Sequence, residues 1–198
     1  MIVKQAKTGS SVFEYSVIED FELVSRTIDG DDNAFAELVK RHQHTVAKTV
    51  MGMLGAGADA EDVGQQVFIR FFRALEDFRG EAAVSTYLTR IAINLSLNEL
   101  KRRKRISLIF SRPSETTRDD YNMADTKDVE SETDTEELVQ KALNSLEPKY
   151  RSVVVLRMIQ GYSTKETAEM LKLPLGTVLS RLSRAQDKLK EILKPSIQ

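Results

Sequence analysis

Apolar residues recur at intervals of three and four along most of the chain, which is the spacing of one buried helix face. A first helix is expected after Asp31–Asn33, a polar run typical of a helix N-terminus, and glycines 52, 55 and 57 are expected to break it. Its apolar face consists of Phe35, Leu38, Val39, His42, Val46, Val50 and Met53. No stretch alternates with period two between turn signals, so the pattern predicts an all-α fold.

Two more helices are expected in the first half of the chain. Asp59 is a suitable N-cap for the next helix, and Gly80 marks the loop that follows it. Ser85 or Thr86 is suited to cap the third. The apolar faces are Val63, Val67, Phe71 and Leu75 in one helix and Leu88, Ile91, Ala92 and Leu95 in the other.

The last sixty residues have the pattern of a helix-turn-helix unit. Two apolar stripes end at Pro148 and Gly161, and a capping box formed by Ser163 and Glu166 opens a short helix. Small Ala168 suits a close approach of two helices, and a turn at 173–176 precedes a longer final helix. That helix would bury Val178, Leu182, Ala185, Leu189 and Ile192.

The final helix leaves polar and basic residues on its outer side. They are Thr177, Ser180, Arg181, Ser183 and Arg184. Arginine pairs with guanine in the major groove, and serine or threonine bonds to phosphates, so this face suits duplex DNA. The alternative is an ordinary amphipathic hairpin with a solvated basic face. The capping box, the small alanine and the turn together favour DNA binding.

Charge is unevenly distributed, although the net charge is only −1. Residues 114–137 contain ten acidic and two basic residues and few apolar anchors, so they are expected to form a flexible acidic linker. The linker separates a domain at 20–113 from a basic domain at 138–198, with an N-terminal extension at 1–19.

A second basic region lies at Lys101–Arg105, five consecutive cations at the end of the third helix. Arg90, Asn94, Asn98 and Arg102 are four residues apart and share one helix face. This face suits a nucleic-acid strand, and it equally suits a solvated helix end favoured by the helix dipole. Phe78 and Tyr87, beside Arg79, are able to stack on unpaired bases, although composition favours a place in the core.

Several function classes are excluded. The chain has no cysteine, no apolar run of the roughly 18–20 residues that cross a membrane, and no signal-peptide pattern at its start. His42 and His44 point apart on a helix, and the sequence motifs of hydrolases, metalloproteases and nucleotide-binding sites are absent. We therefore expect no catalytic residues, no cofactor and no metal, so the protein is not expected to be an enzyme. We expect it to lie in the cytoplasm.

Residues 20–194 resemble the sigma-70 family of bacterial sigma factors, specifically the extracytoplasmic-function (ECF) group. The region-two resemblance consists of Asp59–Phe68, Phe78–Glu81, Ser85–Leu88 and Arg90–Asn94. The region-four resemblance consists of Leu146–Arg151, Gly161–Ser163 and Gly176–Ala185. The chain departs from the usual pattern at Val84, Tyr87 and Leu179, where the family commonly has Phe, Trp and Lys.

The resemblance implies that core RNA polymerase, promoter DNA and an anti-sigma factor are the partners. Clamp helices of the largest polymerase subunit would bind Asp62, Gln65, Gln66, Phe68 and Arg70, and the β flap would also be contacted. The start-proximal (−10) element would be read and melted by Arg79, Ser85, Thr86, Tyr87, Asn94, Asn98, Lys101 and Arg102. The upstream (−35) element would be read by Thr177, Ser180, Arg181, Ser183 and Arg184.

Two other classes remain open at this point. A free-standing helix-turn-helix regulator would bind an operator as a dimer, and would need a dimerisation surface or an effector domain. A helical scaffold that binds only protein would leave both basic regions without a role.

Overall fold

The computed structural model describes residues 15–110 and 132–194, and in these ranges the chain is helical without strands. The helices are α1 Asp20–Ile28, α2 Asp32–Leu54, α3 Ala58–Arg73, α4 Val84–Phe110, α5 Glu132–Asn144, α6 Pro148–Val154, α7 Thr164–Leu171 and α8 Leu175–Leu193. A π-helical turn, Val155–Ile159, continues α6. The predicted all-α fold of two helical domains is confirmed.

The N-terminal domain consists of α1 to α4, with α2 packed against the other three. Leu38, Val50 and Met53 on α2 and Phe71 on α3 are completely buried, as their spacing predicts. The expectation that Gly52 breaks this helix is wrong, because α2 runs through it to Leu54.

Helix starts in this domain follow the sequence signals only in part. The Asp31 side chain caps α2, accepting hydrogen bonds from the amides of Asn33 and Ala34. Asp59 is not an N-cap: α3 begins one residue earlier, and Asp59 instead pairs with Arg103 at 2.7 Å. Nor do Ser85 and Thr86 cap α4, which starts at Val84; burial of Val84 in the core draws that residue into the first turn.

The end of the predicted N-terminal extension packs on this domain. Arg41 of α2 donates to the carbonyl oxygens of Tyr15 and Ile18, both at 2.6 Å. The Tyr15 hydroxyl donates to Asp31 at 2.7 Å. Asp20 bonds to both Arg41 and the buried His42. Residues 15–19 therefore belong to the domain structurally, and 1–14 lie outside the described residues.

Replacement of Asp31 by alanine should destabilise the N-terminal domain by about 1–2 kcal/mol, because the substitution removes the cap of α2. The hydrogen bond from Tyr15, followed by those from the two amides, lowers the pKa of Asp31. A carboxylate with a lowered pKa stabilises the fold above its unfolded-state pKa, and this contribution is lost as the pH falls through the folded-state value. Urea unfolding of wild type and Asp31→Ala should thus converge in acid, and an equal gap at every pH would contradict the assignment.

The C-terminal domain consists of α5 to α8. Leu143, Leu146, Val154 and Ala185 form one buried cluster, and a second cluster joins α6 to the helix-turn-helix unit. Helix α5 begins at Glu132, so the last six residues of the predicted linker at 114–137 are helical. Acidic residues at a helix N-terminus interact favourably with the helix dipole, so the composition that suggested a linker also suits a first turn. Residues 114–131 of that linker lie outside the described ranges.

The two domains are in direct contact, which the sequence did not predict. One point of contact is Gly52, where an added Cβ would lie 3.1 Å from Val155 and 3.3 Å from Ile159. Buried Arg151 of α6 donates to the carbonyl oxygen of Met53 at 2.6 Å. The Tyr162 hydroxyl donates to Thr89 at 3.1 Å, and Val155, Leu156 and Met170 join the core of the N-terminal domain.

Candidate nucleic-acid interface

The helix-turn-helix unit is built by α7, a short turn and α8. The predicted capping box starts α7: the amide of Glu166 donates to the Ser163 hydroxyl at 3.2 Å, and the amide of Ser163 donates to the Glu166 carboxylate at 2.7 Å. Lys172 then takes a left-handed conformation with φ of 53°. Ala168 and Val178 pack together with Val153 beneath the two helices, which fixes the angle at which α8 leaves the domain.

The outer side of α8 carries the residues assigned to the upstream element. Ser180, Ser183 and Arg184 are exposed, whereas Thr177 and Arg181 are half-buried at the edge of the face. The Ser180 hydroxyl donates to the carbonyl oxygen of Thr177 at 3.0 Å. The centre of the surface is therefore formed by the two serines and Arg184.

A second polar surface follows α4. Asn94, Asn98, Lys101 and Arg102 are all exposed on this helix. Arg102 donates to both carboxylate oxygens of Glu99, at 2.7 and 2.8 Å, and these bonds lower the pKa of that carboxyl group. Part of the Arg102 charge is thus neutralised locally, while Lys101 has no ion pair among those of the described chain.

The loop before α4 brings together the remaining residues assigned to the −10 element. Arg79 is exposed, and Ser85 and Thr86 are half-buried in the first turn of α4. The ring of Tyr87 packs edge-on against Phe78, with centroids 5.2 Å apart, and the Arg90 guanidinium lies 5.1 Å from its centroid. Tyr87 therefore has a place in the aromatic core, as composition favours, while its ring is also covered by a cation.

A separate polar surface lies on α3. Asp62, Gln65, Gln66 and Arg70 are exposed there, and Phe68 is instead packed against the core of the N-terminal domain. The neighbouring Ile69 and Phe72 are exposed and share the accessible side of the helix, although sequence reasoning missed them. The signal that identifies these two residues is an exposed apolar side chain on a regular helix, and the exposure is known only from the structure.

Two other kinds of site are not found in the described ranges. No group of three or more His, Cys, Asp or Glu side chains there is arranged to hold a metal ion. None of the helices that the structure describes is both long and apolar enough to span a bilayer.

Comparison with protein families gives two matches. Residues 38–106 match the model described as Sigma-70 region 2, and residues 136–189 match the model described as Sigma-70, region 4. The first match contains the α3 and α4 surfaces, and the second contains the helix-turn-helix unit.

Individual relatives agree over most of the chain. The RNA polymerase sigma-H factor of Pseudomonas aeruginosa is 33% identical over 189 residues, covering 91% of this chain and 96% of the relative. The ECF RNA polymerase sigma-E factor of Escherichia coli K12 is 35% identical over 187 residues, covering 91% and 97%. Among solved structures, CnrH in complex with the cytosolic domain of CnrY aligns with a TM-score of 0.63 at 26% identity, covering 89% of this chain and 97% of CnrH.

Proposed function

We propose that this chain, which belongs to the sigma-70 family of RNA polymerase sigma factors and to its ECF group, acts through three surfaces. One surface binds core polymerase, and the other two bind promoter DNA. As a sigma factor it directs transcription initiation. The α3 surface with Asp62, Gln65, Gln66 and Arg70 would dock on core polymerase at the clamp helices. The α8 surface would read the −35 element, and α4 with the preceding loop would read and open the −10 element.

One observation carries the assignment of the −35 element to α8. Ser180, Ser183 and Arg184 are exposed on one helix, whose opposite side is anchored by the buried residues Val178 and Ala185. A rigid helix with exposed donors near its N-terminus is what the major groove accommodates. Arg184 supplies the bidentate donor that pairs with guanine, and Ser183 supplies a short donor for a base or a phosphate. The Ser180 hydroxyl donates to the carbonyl oxygen of Thr177, so it offers acceptor lone pairs to a base.

The −10 element requires contacts to an opened strand. Asn94 and Asn98 are one turn apart on the exposed side of α4, and amides can bond to the edges of unpaired bases. Lys101 continues the same helix toward the backbone phosphates. Extrusion of a base from the duplex costs a few kcal/mol, and contacts with residues 79–87, in the loop and the first turn of α4, would offset this cost.

Further parts of the proposal concern what the chain does not do and what restrains it. The chain contributes binding rather than catalysis. It acts in the cytoplasm, where it binds the clamp helices and the β flap of core polymerase. CnrH was solved with the cytosolic domain of a second protein. We include an anti-sigma factor among the partners of this chain, binding over the same surfaces.

The deciding experiment is transcription from a panel of promoters by purified core polymerase, with and without the chain. The proposal expects new, promoter-specific transcripts only when the chain is present. A free-standing regulator would instead bind duplex DNA tightly by itself and would leave initiation by core polymerase alone unchanged, which would refute the proposal.

Arg184→Ala should weaken the binding of promoter DNA, whereas Asp62→Ala should weaken the binding of core polymerase. Loss of a bidentate pair with guanine costs about 1–3 kcal/mol, so Arg184→Ala should weaken the holoenzyme on its upstream element roughly 5- to 150-fold. Its affinity for core polymerase should not change. Asp62→Ala should weaken the binding of core polymerase, measured in a pull-down. Equal loss of polymerase affinity in both variants would show that the surfaces are wrongly assigned.

A further inference from the structure

Helix α8 exposes two leucines close to its start. Leu175 and Leu179 are 49% and 50% exposed, although leucine is among the residue types most often buried. They are four residues apart, so they lie on the same side of the helix, one turn from each other. Neither belongs to the apolar clusters of the described residues, which hold Val178, Leu182 and Ala185 of the same helix.

The surroundings of the leucines favour duplex DNA as the molecule that covers them. Ser183 lies one further turn along the same side, and Arg184 and Lys188 supply positive charge on exposed parts of the helix. Pro174 is the N-cap and offers no side-chain acceptor, and its carbonyl oxygen accepts from the amides of Thr177 and Val178, which leaves the amides of Leu175 and Gly176 without a side-chain cap. Such amides bond to phosphate oxygens, which would set the helix in the groove.

The major groove presents one strongly apolar group, the C5-methyl group of thymine. Resting on the proposed function of α8, we propose that Leu175 and Leu179 contact thymine methyl groups of the upstream element. Apolar contact would then select A·T pairs within the upstream element. The leucines thereby become determinants of promoter specificity that act without a hydrogen bond.

The experiment begins with selection of preferred promoters by the complete holoenzyme. Each thymine of the selected upstream element, on either strand, is then replaced singly by deoxyuridine, which pairs identically but lacks the methyl group. Burial of one methyl group is worth about 0.8 kcal/mol, so binding should weaken about fourfold at one or two positions. Other thymines should be insensitive to the replacement.

Two variants connect those positions to the leucines. In Leu175→Ala or Leu179→Ala, the fourfold penalty of deoxyuridine should disappear at the position that each leucine contacts. Val139→Ala, which shortens an exposed apolar side chain on α5, serves as the matched control and should keep every penalty. Leu179→Arg should move the preference at its position from an A·T pair toward guanine, because arginine pairs with guanine.

Each alternative result has a defined meaning. A selected element without thymine, or penalties that persist in both alanine variants, would overturn the inference and leave the proposed function intact. Weaker binding of core polymerase by Leu179→Ala in the absence of DNA would also overturn it, since the occupant would then be protein. If the holoenzyme selects no upstream element, the proposed function itself fails and the inference fails with it.

Discussion

Arg151→Ala should cause the largest loss of stability of any single substitution considered for this chain, about 3–5 kcal/mol. The buried guanidinium donates to the carbonyl oxygens of Met53 at 2.6 Å, Asn144 at 2.5 Å and Leu146 at 3.1 Å. Alanine leaves all three acceptors without this donor, and each buried unsatisfied group costs about 1–3 kcal/mol. The bonds join both domains, so the loss should affect the unfolding of each.

Burial disfavours the charged form of the guanidinium that makes these bonds, but it does not neutralise the group. It lowers the pKa of Arg151 to about 10, which is still well above neutral pH, so the guanidinium remains charged. Urea unfolding followed by circular dichroism measures the effect, with Arg184→Ala as an exposed arginine control that should change stability by less than about 0.5 kcal/mol. A loss below about 1 kcal/mol for Arg151→Ala would contradict the role assigned to its three bonds.

Gly52→Gln should separate the two domains while each remains folded. Glycine is tolerated inside α2 because Val155 and Ile159 of the other domain approach it, leaving 3.1 and 3.3 Å to an added Cβ. A longer side chain overpacks this contact at a cost of about 1–3 kcal/mol, and within α2 glutamine is the better helix former by several tenths. The equilibrium should shift toward separated domains roughly 5- to 150-fold.

Spin labels measure that separation directly. The chain has no cysteine, so Gln43→Cys and Gln186→Cys, one on each domain, provide two unique attachment sites. Distances between the labels should lengthen in Gly52→Gln and stay unchanged in Ala47→Gln, a substitution on an exposed part of the same helix. An unaltered distance distribution in Gly52→Gln would show that the contact adapts to the added side chain.

The separation also matters for the proposed function. The −10 and −35 elements are about 25 base pairs apart, or roughly 85 Å along the duplex. The hydrogen bond from Arg151 to Met53 holds in direct contact the two domains that carry the surfaces proposed to read these elements. We therefore expect the contact to open in the initiation complex.

Sequence patterns predicted the elements well where local chemistry decides them. The capping box at Ser163 consists of short-range hydrogen bonds between residues three apart, so its spacing is sufficient. The run Asp31–Asn33 likewise marked the start of α2, where Asp31 is the residue that caps the helix. The spacing of apolar residues at intervals of three and four likewise predicted the buried face of α2. Asp59 and Ser85 failed as caps because a tertiary contact, with Arg103 in one case and burial of Val84 in the other, decided the helix start.

The contact between the domains could not be predicted in the same way. Gly52 within an apolar stripe signals either a helix break or a close approach, and only the position of Val155, about a hundred residues later, selects the second. The exposure of the α8 leucines could not be predicted for a related reason. Periodicity shows which side of a helix is apolar, but the exposure of Leu179 depends on what the rest of the fold covers.

Ionic strength should act differently on the two kinds of contact that the molecule makes. The described hydrogen bonds between the domains end on neutral acceptors: Met53 accepts from Arg151, Thr89 from Tyr162, and Thr45 from Gln160. None of these bonds joins two opposite charges, and salt mainly screens charge pairs, so salt should affect these contacts little. Binding of basic surfaces to phosphates releases counterions and weakens steeply as salt rises. Added salt should therefore release the protein from DNA, while in the free protein it should leave the two domains together.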